Sequence, residues 1–147
     1  MNINDYIKTR VDNQISWYDK KSLSCQWKYK IFQIIEIVLA ACIPLLSAYS
    51  QNSLIISIII GCFGALITII ESITKLCKWH ENWIEYRTTC ELLRYQKYLF
   101  ETKSAPYNNE PETTENIFIR NVENIISSEN NKWKTIQIED SPNNTSN

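Results

Sequence analysis

The chain is 147 residues long, carries a formal net charge of −1 at pH 7 and contains only two glycines. This length suits one ordinary domain. A near-neutral chain without a concentrated basic face is not expected to bind nucleic acid, because phosphate binding depends on clustered Lys and Arg. So few glycines disfavour a loop-rich or all-β fold, whose turns need residues that tolerate positive φ. The sequence therefore predicts an all-α protein.

The residue types that usually carry chemistry are sparse. The five cysteines show neither zinc-site spacing nor a secreted disulfide framework, which favours a reducing compartment. Cys77, His80 and Glu81 fall close together on one helical stretch, but a metal site there would need ligands from elsewhere. The sequence offers no nucleophile beside a base, no HExxH and no spacing that pairs two carboxylates. We therefore predict no enzyme activity, no metal and no cofactor.

The N-terminal segment reads as an amphipathic helix. Residues 1–30 have no apolar run behind their charges, so we expect no cleavable signal peptide. Apolar side chains recur there at three- and four-residue intervals, at Ile3, Ile7, Val11, Ile15 and Tyr18. This spacing predicts a helix that packs one face against a neighbour.

Two apolar runs follow. Residues 31–49 are nineteen residues with a single charge, Glu36, and residues 54–70 are seventeen with none. At about 1.5 Å per residue the second run spans roughly 26 Å, nearly the thickness of a bilayer core. Only four polar residues, 50–53, separate the runs, and so short a link forces two crossings into an antiparallel hairpin. We predict membrane helices at about 31–49 and 54–73.

Basic residues predict the orientation of this hairpin. Six Lys or Arg residues precede the first run and four follow the second between residues 75 and 94, whereas the turn has none. Both termini should therefore lie in the cytoplasm. The alternative is a soluble bundle with two very apolar core helices. The β-branched richness of the second run and its lack of a polar stripe favour the membrane.

Beyond residue 73 the polarity rises but the helical period persists. A stripe of mostly large apolar and aromatic residues, spaced by three and four, consists of Leu76, Trp79, Trp83, Tyr86, Cys90, Leu93, Lys97 and Phe100. This pattern predicts one long helix that continues out of the membrane. We expect it to form an antiparallel cytoplasmic pair with the N-terminal helix.

The C-terminal part predicts a third soluble helix. Pro106 and the polar stretch 108–111 break the pattern, after which Thr113 or Thr114 can cap a helix that folds back on the pair. Its stripe is Phe118, Val122, Ile125 and Ile126. Trp133, Ile136 and Ile138 predict a short extended segment, and residues 140–147 predict a disordered tail. A single domain should therefore cover residues 1–139.

Polar residues inside the two predicted membrane helices are the candidate pore or intramembrane positions: Glu36, Gln33, Thr68 and Glu71. In a functional interpretation, several copies contribute Glu36 and Glu71 to rings of negative charge that favour cations. In a structural interpretation, Glu36 pairs with Thr68, Gln33 or Lys75 inside one hairpin. Candidate helix-packing residues are Gly61, Gly64 and Ala65, which suit contacts within a hairpin or between copies, and Pro44, which predicts a kink.

Two groups of residues flank the hairpin. An R-x-x-x-Q-x-x-W-Y pattern at Arg10, Gln14, Trp17 and Tyr18 precedes it. A W-x-x-Y-R-x-x-x-E-L-L pattern at Trp83, Tyr86, Arg87, Glu91, Leu92 and Leu93 follows it. With these patterns the chain resembles the SLATT superfamily of two-transmembrane domains, and within it the branch called domain of unknown function 4231. The resemblance extends from about Tyr6 to Trp133 and includes Phe118, Val122 and Glu123.

This resemblance implies an effector in the bacterial inner membrane, multi-pass, that oligomerises into a pore and depolarises the cell in a defence or conflict response. Its implied partners are the lipid bilayer, further copies of the chain and a separate nucleotide-sensing or signalling protein. The sequence has no Gly-rich phosphate loop of its own. The alternative function is a membrane-anchored adaptor or scaffold whose cytoplasmic helices recruit a soluble partner.

Arg87 and Glu91 lie one helical turn apart and should form an i, i+4 ion pair. They could instead reach the N-terminal helix, with Arg10 and Gln14 as counterparts. A structural role in the cytoplasmic bundle and direct contact with a ligand or partner are the two interpretations of these residues.

Overall fold

A computed structural model describes residues 2–49, 53–108 and 110–139, and side chains only as far as Glu129. The described residues form α1 (Ile3–Tyr6), a π-helical turn (Ile7–Val11), α2 (Asp12–Ser47), α3 (Leu54–Cys77), α4 (Trp79–Glu101) and α5 (Pro111–Glu139). These residues contain no strand, and the predicted all-α class is confirmed.

The chain divides into two compact units. One consists of Met1–Asp19 with Tyr86–Asn147, and we call it the bundle unit. The other is Lys20–Glu85, and we call it the hairpin unit. The boundaries between them fall inside α2 and α4.

The bundle unit has an aromatic core. Val11, Leu93, Phe118 and Val122 are fully buried, and Tyr18 is 2% exposed. The Phe118 ring stacks on Phe100 at a centroid distance of 4.4 Å. The predicted N-terminal stripe packs here as expected, since Ile3, Ile7 and Ile15 cover the same core. The predicted stripe of α5, from Phe118 to Ile126, also belongs to this core.

Ion pairs fix the direction of the helices in the bundle unit. Lys97 of α4 lies 2.6 Å from Asp12 of α2, and Arg87 lies 3.3 Å from Asp19. From Asp12 to Asp19 along α2, the partner on α4 changes from Lys97 back to Arg87, so the two helices run in opposite directions. This confirms the predicted antiparallel pair. Helix α5 folds back on this pair through Phe118, as predicted.

The half-buried residues of the apolar part of the hairpin unit lie in two stripes, one on α2 and one on α3, and their matching burial indicates that the two helices pack along them; we call these stripes the hairpin seam. On α2 the stripe is Tyr29, Phe32, Glu36, Leu39, Ile43 and Leu46, and on α3 it is Ile56, Ile60, Phe63, Ile67, Ile70 and Thr74. The part of α2 that holds Tyr29 and Gln33 lines one cavity with Glu71 and Lys75, which are near the C-terminal end of α3. These two parts of the helices therefore lie side by side. The two helices therefore run antiparallel.

Outside the seam the hairpin unit exposes large apolar side chains. Those more than half exposed include Ile34, Ile37, Val38, Leu45, Leu54, Ile55, Ile58 and Ile69. Two helical stretches, Ile3–Ser47 and Leu54–Glu101, each contain an 18-residue window long and apolar enough to cross a bilayer. None of either window is buried inside the protein.

The predicted continuous helix after residue 54 is wrong, because it is interrupted at Lys78. This residue takes a left-handed conformation (φ 47°, ψ 39°), ends α3 at Cys77 and starts α4 at Trp79. The Asn82 side chain donates to the Cys77 carbonyl at 3.2 Å and satisfies one of the groups that the break leaves open. Leu76, assigned to the packed stripe, is 83% exposed.

The predicted start and end of the third helix are also wrong. Helix α5 begins at Pro111 rather than after a cap at Thr113 or Thr114. Proline suits the first helical position because its fixed φ is helical and its missing N–H would have no helical partner there. Trp133, Ile136 and Ile138 continue this helix to Glu139 instead of forming an extended segment. The tail 140–147 lies outside the described residues.

Candidate functional site

Glu36 is the one acidic residue of the first apolar run, and it lies on the hairpin seam. It is half-buried between Phe32 and Leu39 on the same stripe of α2. Two of the three partners predicted for it, Thr68 and Lys75, are engaged elsewhere. Thr68 donates to the Gly64 carbonyl at 3.0 Å, and Lys75 pairs with Glu71 at 2.9 Å. Among the described residues, Glu36 has neither a hydrogen bond nor an ion pair.

Gln33 and Glu71 are partly covered residues at the end of the hairpin where Lys75 lies. Both line the same cavity, so the structure brings these two candidates together. Thr68 lies elsewhere, on an exposed part of α3. Of the four candidate intramembrane residues, only two therefore share one site.

The small-residue stripe of α3 faces away from the seam. Gly61, Ala65, Thr68 and Ser72 are exposed, and Gly64 is half-buried. A Cβ added at Gly61 or Gly64 would meet no atom within 4 Å. Thr68 and Ser72 donate to backbone carbonyls four residues earlier, so the face presents satisfied hydroxyls. Packing of Gly61 and Ala65 between copies stays a prediction, because neither is covered within one chain.

Helix α2 runs through Pro44 without ending. Pro44 itself is exposed, and the Ser47 hydroxyl donates to its carbonyl at 2.8 Å. Such a local hydrogen bond satisfies a carbonyl near the end of the helix.

Arg10 of the N-terminal motif binds Glu123 of α5. Its Nε and Nη2 donate to the two carboxylate oxygens, each at 3.1 Å, and Tyr6 donates to Oε1 at 2.8 Å. The hydrogen bonds from Arg10, and then that from Tyr6, lower the pKa of the Glu123 carboxyl despite partial burial. Burial and the bond to Glu123 raise the pKa of Tyr6. Together these three residues fix α5 against the N-terminal helices.

The other residues of this motif line a second part of the bundle unit. Tyr18 donates to the buried Glu129 at 2.9 Å, and burial raises the pKa of Tyr18. The Trp17 ring meets the edges of Tyr18 and Tyr86, at 4.9 and 5.8 Å. A cavity of about 440 Å³ is lined by Arg10, Asn13, Gln14, Trp17, Tyr18, Ile126 and Glu129. All four residues of the N-terminal motif thus border one cavity.

The second motif forms an ion network. Arg87 and Glu91 form the expected i, i+4 pair at 2.7 Å. Arg87 also reaches the N-terminal part of α2, but its counterpart there is Asp19, at 3.3 Å, rather than Arg10 or Gln14. Arg94 joins Asp19 at 3.3 Å and Glu91 at 3.2 Å. Asp19 was missed by the sequence reasoning, since nothing in its local spacing marks it.

Trp83, the first residue of that motif, belongs to the hairpin unit. Its ring lies 5.7 Å from the His80 ring, which in turn packs on Tyr29 at 4.8 Å. Within the described part of the chain, no three His, Cys, Asp or Glu side chains come together as a metal site would require.

Fold and site together define an all-helical protein with a charge-linked aromatic bundle and two helices long and apolar enough to span a bilayer. The chain belongs to the family described as "Protein of unknown function (DUF4231)", which matches residues 13–115. The match includes both membrane-length runs and the second motif, whereas Arg10, Phe118 and Glu123 lie outside it. Comparison with curated proteins and with solved structures gave no match.

Proposed function

We propose that this protein is an integral membrane effector whose copies assemble into a cation-conducting pore in the bacterial inner membrane. In this proposal α2 and α3 cross the bilayer as a hairpin, and both termini lie in the cytoplasm. The exposed apolar side chains of the hairpin unit support the membrane location, since monomeric soluble proteins rarely expose apolar patches of that extent. The basic residues on both flanks and their absence from the turn support the orientation.

The main observation in favour of a pore is that the Glu36 carboxylate has no partner among the described residues. An ionisable group inside an apolar span is costly against lipid and usually faces protein, water or an ion. The described part of the chain supplies Glu36 with no cationic or hydrogen-bonding partner, because Lys75 is held by Glu71 and Thr68 by its own helix. Water, a cation or a second copy of the chain is therefore what compensates it.

The resemblance to the SLATT superfamily adds the biological setting. It suggests a response in bacterial conflict, with pore opening triggered by a separate nucleotide-sensing or signalling protein. No chemistry is required of the chain, which would act by assembly and conduction alone.

Single-channel recording in planar bilayers tests this proposal. We expect the purified protein to give discrete openings with a preference for cations, and Glu36→Gln to reduce that preference. Glu115→Gln is the matched control, since Glu115 has no hydrogen bond or ion pair among the described residues and lies on α5. Unchanged conductance and selectivity in Glu36→Gln would refute the charge role of Glu36. An absence of openings, together with an unchanged membrane potential in cells that express the protein while the conflict response that would trigger it is induced, would refute the pore.

An exposed aromatic stripe favours a second candidate, the membrane-anchored adaptor. Leu92, Tyr95 and Tyr98 recur on α4 at three-residue intervals and are 45%, 57% and 64% exposed. Aromatic side chains of this kind commonly anchor protein interfaces. If the adaptor function holds, Tyr95→Ser with Tyr98→Ser abolishes partner capture, while Glu36→Leu leaves capture unchanged.

A further inference from the structure

Three exposed lysines of the hairpin unit flank its two apolar runs at the same end. Lys28 and Lys30 precede the run that begins at residue 31, and Lys78 follows Cys77, the last residue of α3. Each of these lysines is exposed, and none has a hydrogen bond or an ion pair to a described residue. We call the three residues the lysine collar. Their charges are unpaired within the described part of the chain.

The fold of the hairpin unit puts the lysine collar at one level. Tyr29 of α2 lines one cavity with Glu71 and Lys75 of α3, so the turn of α2 that holds two collar residues lies beside the last turns of α3. At about 1.5 Å per residue, every collar residue lies within about 8 Å of the end of its predicted membrane helix. The polar layer on each side of a bilayer core is about 5–8 Å thick. The collar is therefore at the level of lipid phosphates.

The other charges near this level do not cancel the collar. Lys75 pairs with Glu71 at 2.9 Å, so these two side chains together are neutral. Residues 26–34 contain no carboxylate, and Glu81 is the one further carboxylate between residues 71 and 81. Three collar lysines thus face a single exposed glutamate. This end of the hairpin unit offers a net positive charge to a partner, which indicates an anion.

Exposed apolar side chains beside the collar indicate the kind of anion. Trp27, next to Lys28, is 70% exposed, and Leu76, two positions before Lys78, is 83% exposed. A soluble anion leaves both side chains in contact with water. An anionic lipid brings acyl chains that cover them, and tryptophan is enriched at the boundary between headgroups and acyl chains. The combination of lysines with exposed apolar side chains therefore fits a lipid better than a free phosphate.

We propose that the lysine collar binds the phosphates of anionic glycerophospholipids in the cytoplasmic leaflet, while Trp27 and Leu76 contact the upper part of their acyl chains. This inference rests on the proposed membrane location. Juxtamembrane lysines are attracted to lipids that carry a net negative charge. The phosphate of a choline or ethanolamine lipid has a cation beside it, which the lysines repel, whereas phosphatidylglycerol has no such cation. The collar thus selects lipids by their net charge.

Native mass spectrometry of the full chain tests the proposal. Protein in detergent is exposed to equimolar phosphatidylglycerol and phosphatidylcholine with the same acyl chains, and the bound lipids are counted. One lysine near an anionic surface corresponds to about fivefold in binding, so we expect roughly fivefold more bound phosphatidylglycerol. This preference should shrink as ammonium acetate is raised from about 0.05 to about 0.5 M, because salt screens exposed charges. Equal binding of the two lipids, or a preference that salt does not change, would overturn the proposal.

Three triple variants locate the effect. The first removes the charge of the collar: Lys28→Gln, Lys30→Gln and Lys78→Gln. The second keeps that charge: Lys28→Arg, Lys30→Arg and Lys78→Arg. The third is the matched control in the bundle unit and removes three exposed positive charges that have no partner among the described residues: Lys8→Gln, Lys103→Gln and Arg120→Gln.

The glutamine variant of the collar should bring the lipid preference down to about one, with unchanged helical circular dichroism. The arginine variant and the bundle control should keep the preference of the wild type. A preference that persists in the glutamine variant would place the lipid elsewhere. A loss of preference in the bundle control would make the total charge of the chain responsible, and either result would overturn the proposal.

Two further arms separate the related explanations. Soluble glycerophosphoglycerol should bind much more weakly than phosphatidylglycerol, because it brings no acyl chain to Trp27 and Leu76, and equal binding would show that the occupant is a free anion. Flotation with vesicles of phosphatidylethanolamine and phosphatidylglycerol after an alkaline wash tests insertion itself. A chain that fails to float contradicts the proposed membrane location, while one that floats without a preference for phosphatidylglycerol contradicts this inference alone.

Discussion

Replacing Glu123 tests how the bundle unit is held together. Glu123→Gln keeps the shape of the side chain but removes its charge, so Arg10 loses an ion pair and Tyr6 loses a charged acceptor. The ion pair is worth only about 0.5 kcal/mol, since the side chains of Arg10 and Glu123 are 44% and 42% exposed to screening solvent. A bond to an amide instead of a carboxylate costs Tyr6 about 1 kcal/mol. We expect Glu123→Gln to lower the free energy of unfolding by about 1.5 kcal/mol.

Glu123→Leu should cost more, because it leaves the Tyr6 hydroxyl without its partner. Tyr6 is only 5% exposed, and an unsatisfied buried hydroxyl costs about 1–3 kcal/mol. Adding Tyr6→Phe removes that hydroxyl. The free energy of unfolding of the double variant should therefore be about 1 kcal/mol higher than the sum of the two single effects predicts.

Urea unfolding of the full chain in detergent micelles, followed by near-ultraviolet circular dichroism, measures these differences. Glu115→Gln is the control for the loss of one negative charge from α5. Equal midpoints for Glu123→Gln and the control, or strict additivity of Tyr6→Phe and Glu123→Leu, would refute the reasoning.

Four further predictions follow from particular residues. The stabilisation by Glu123 should be complete above pH about 4.5, near the pKa of this carboxyl in the unfolded chain, and should disappear as the pH falls through its lower pKa in the folded chain. Urea titrations of wild type and Glu123→Gln between pH 3 and 7 measure this loss. Phe118→Ala should lower the free energy of unfolding by about 3–5 kcal/mol in the same assay, because its ring is fully buried. Gly61→Ile should leave the helical content unchanged but weaken association between copies, measured by energy transfer between labelled chains in vesicles. A water-soluble maleimide should label the exposed Cys77 much faster than Cys90, which is fully buried and whose thiol pKa is raised by that burial.

Periodic patterns made much of this fold predictable. The spacing of Ile3, Ile7, Val11 and Ile15 specified the packed face of the N-terminal segment without any knowledge of its partner. The two apolar runs specified two helices, and a short link left only an antiparallel arrangement for them. The i, i+4 spacing of Arg87 and Glu91 likewise encodes their ion pair directly. These are local properties, which a sequence displays.

Features that depend on distant partners were not predictable. Asp19 is an ordinary acidic residue on a helix until α4 brings Arg87 and Arg94 beside it. Glu123 gains its role in the same way from Arg10, more than a hundred positions away. The break at Lys78 has no glycine or proline to announce it. Left-handed lysine is unfavourable alone, so the surrounding structure rather than local preference selects it.

The position of Glu36 constrains how an assembled pore could use it. Glu36 lies on the hairpin seam, whereas the exposed stripe of Gly61, Ala65 and Thr68 faces away from that seam. If copies packed only through the exposed stripe, Glu36 would stay between the two helices of its own hairpin and could not line a shared lumen. A pore lined by Glu36 therefore requires the edge of the seam to face the lumen, with the small-residue stripe forming the contact to the next copy. In that arrangement, cysteines introduced at Leu39 and Ile43 react with water-soluble reagents from the lumen, while one at Ala65 is protected by the neighbouring chain.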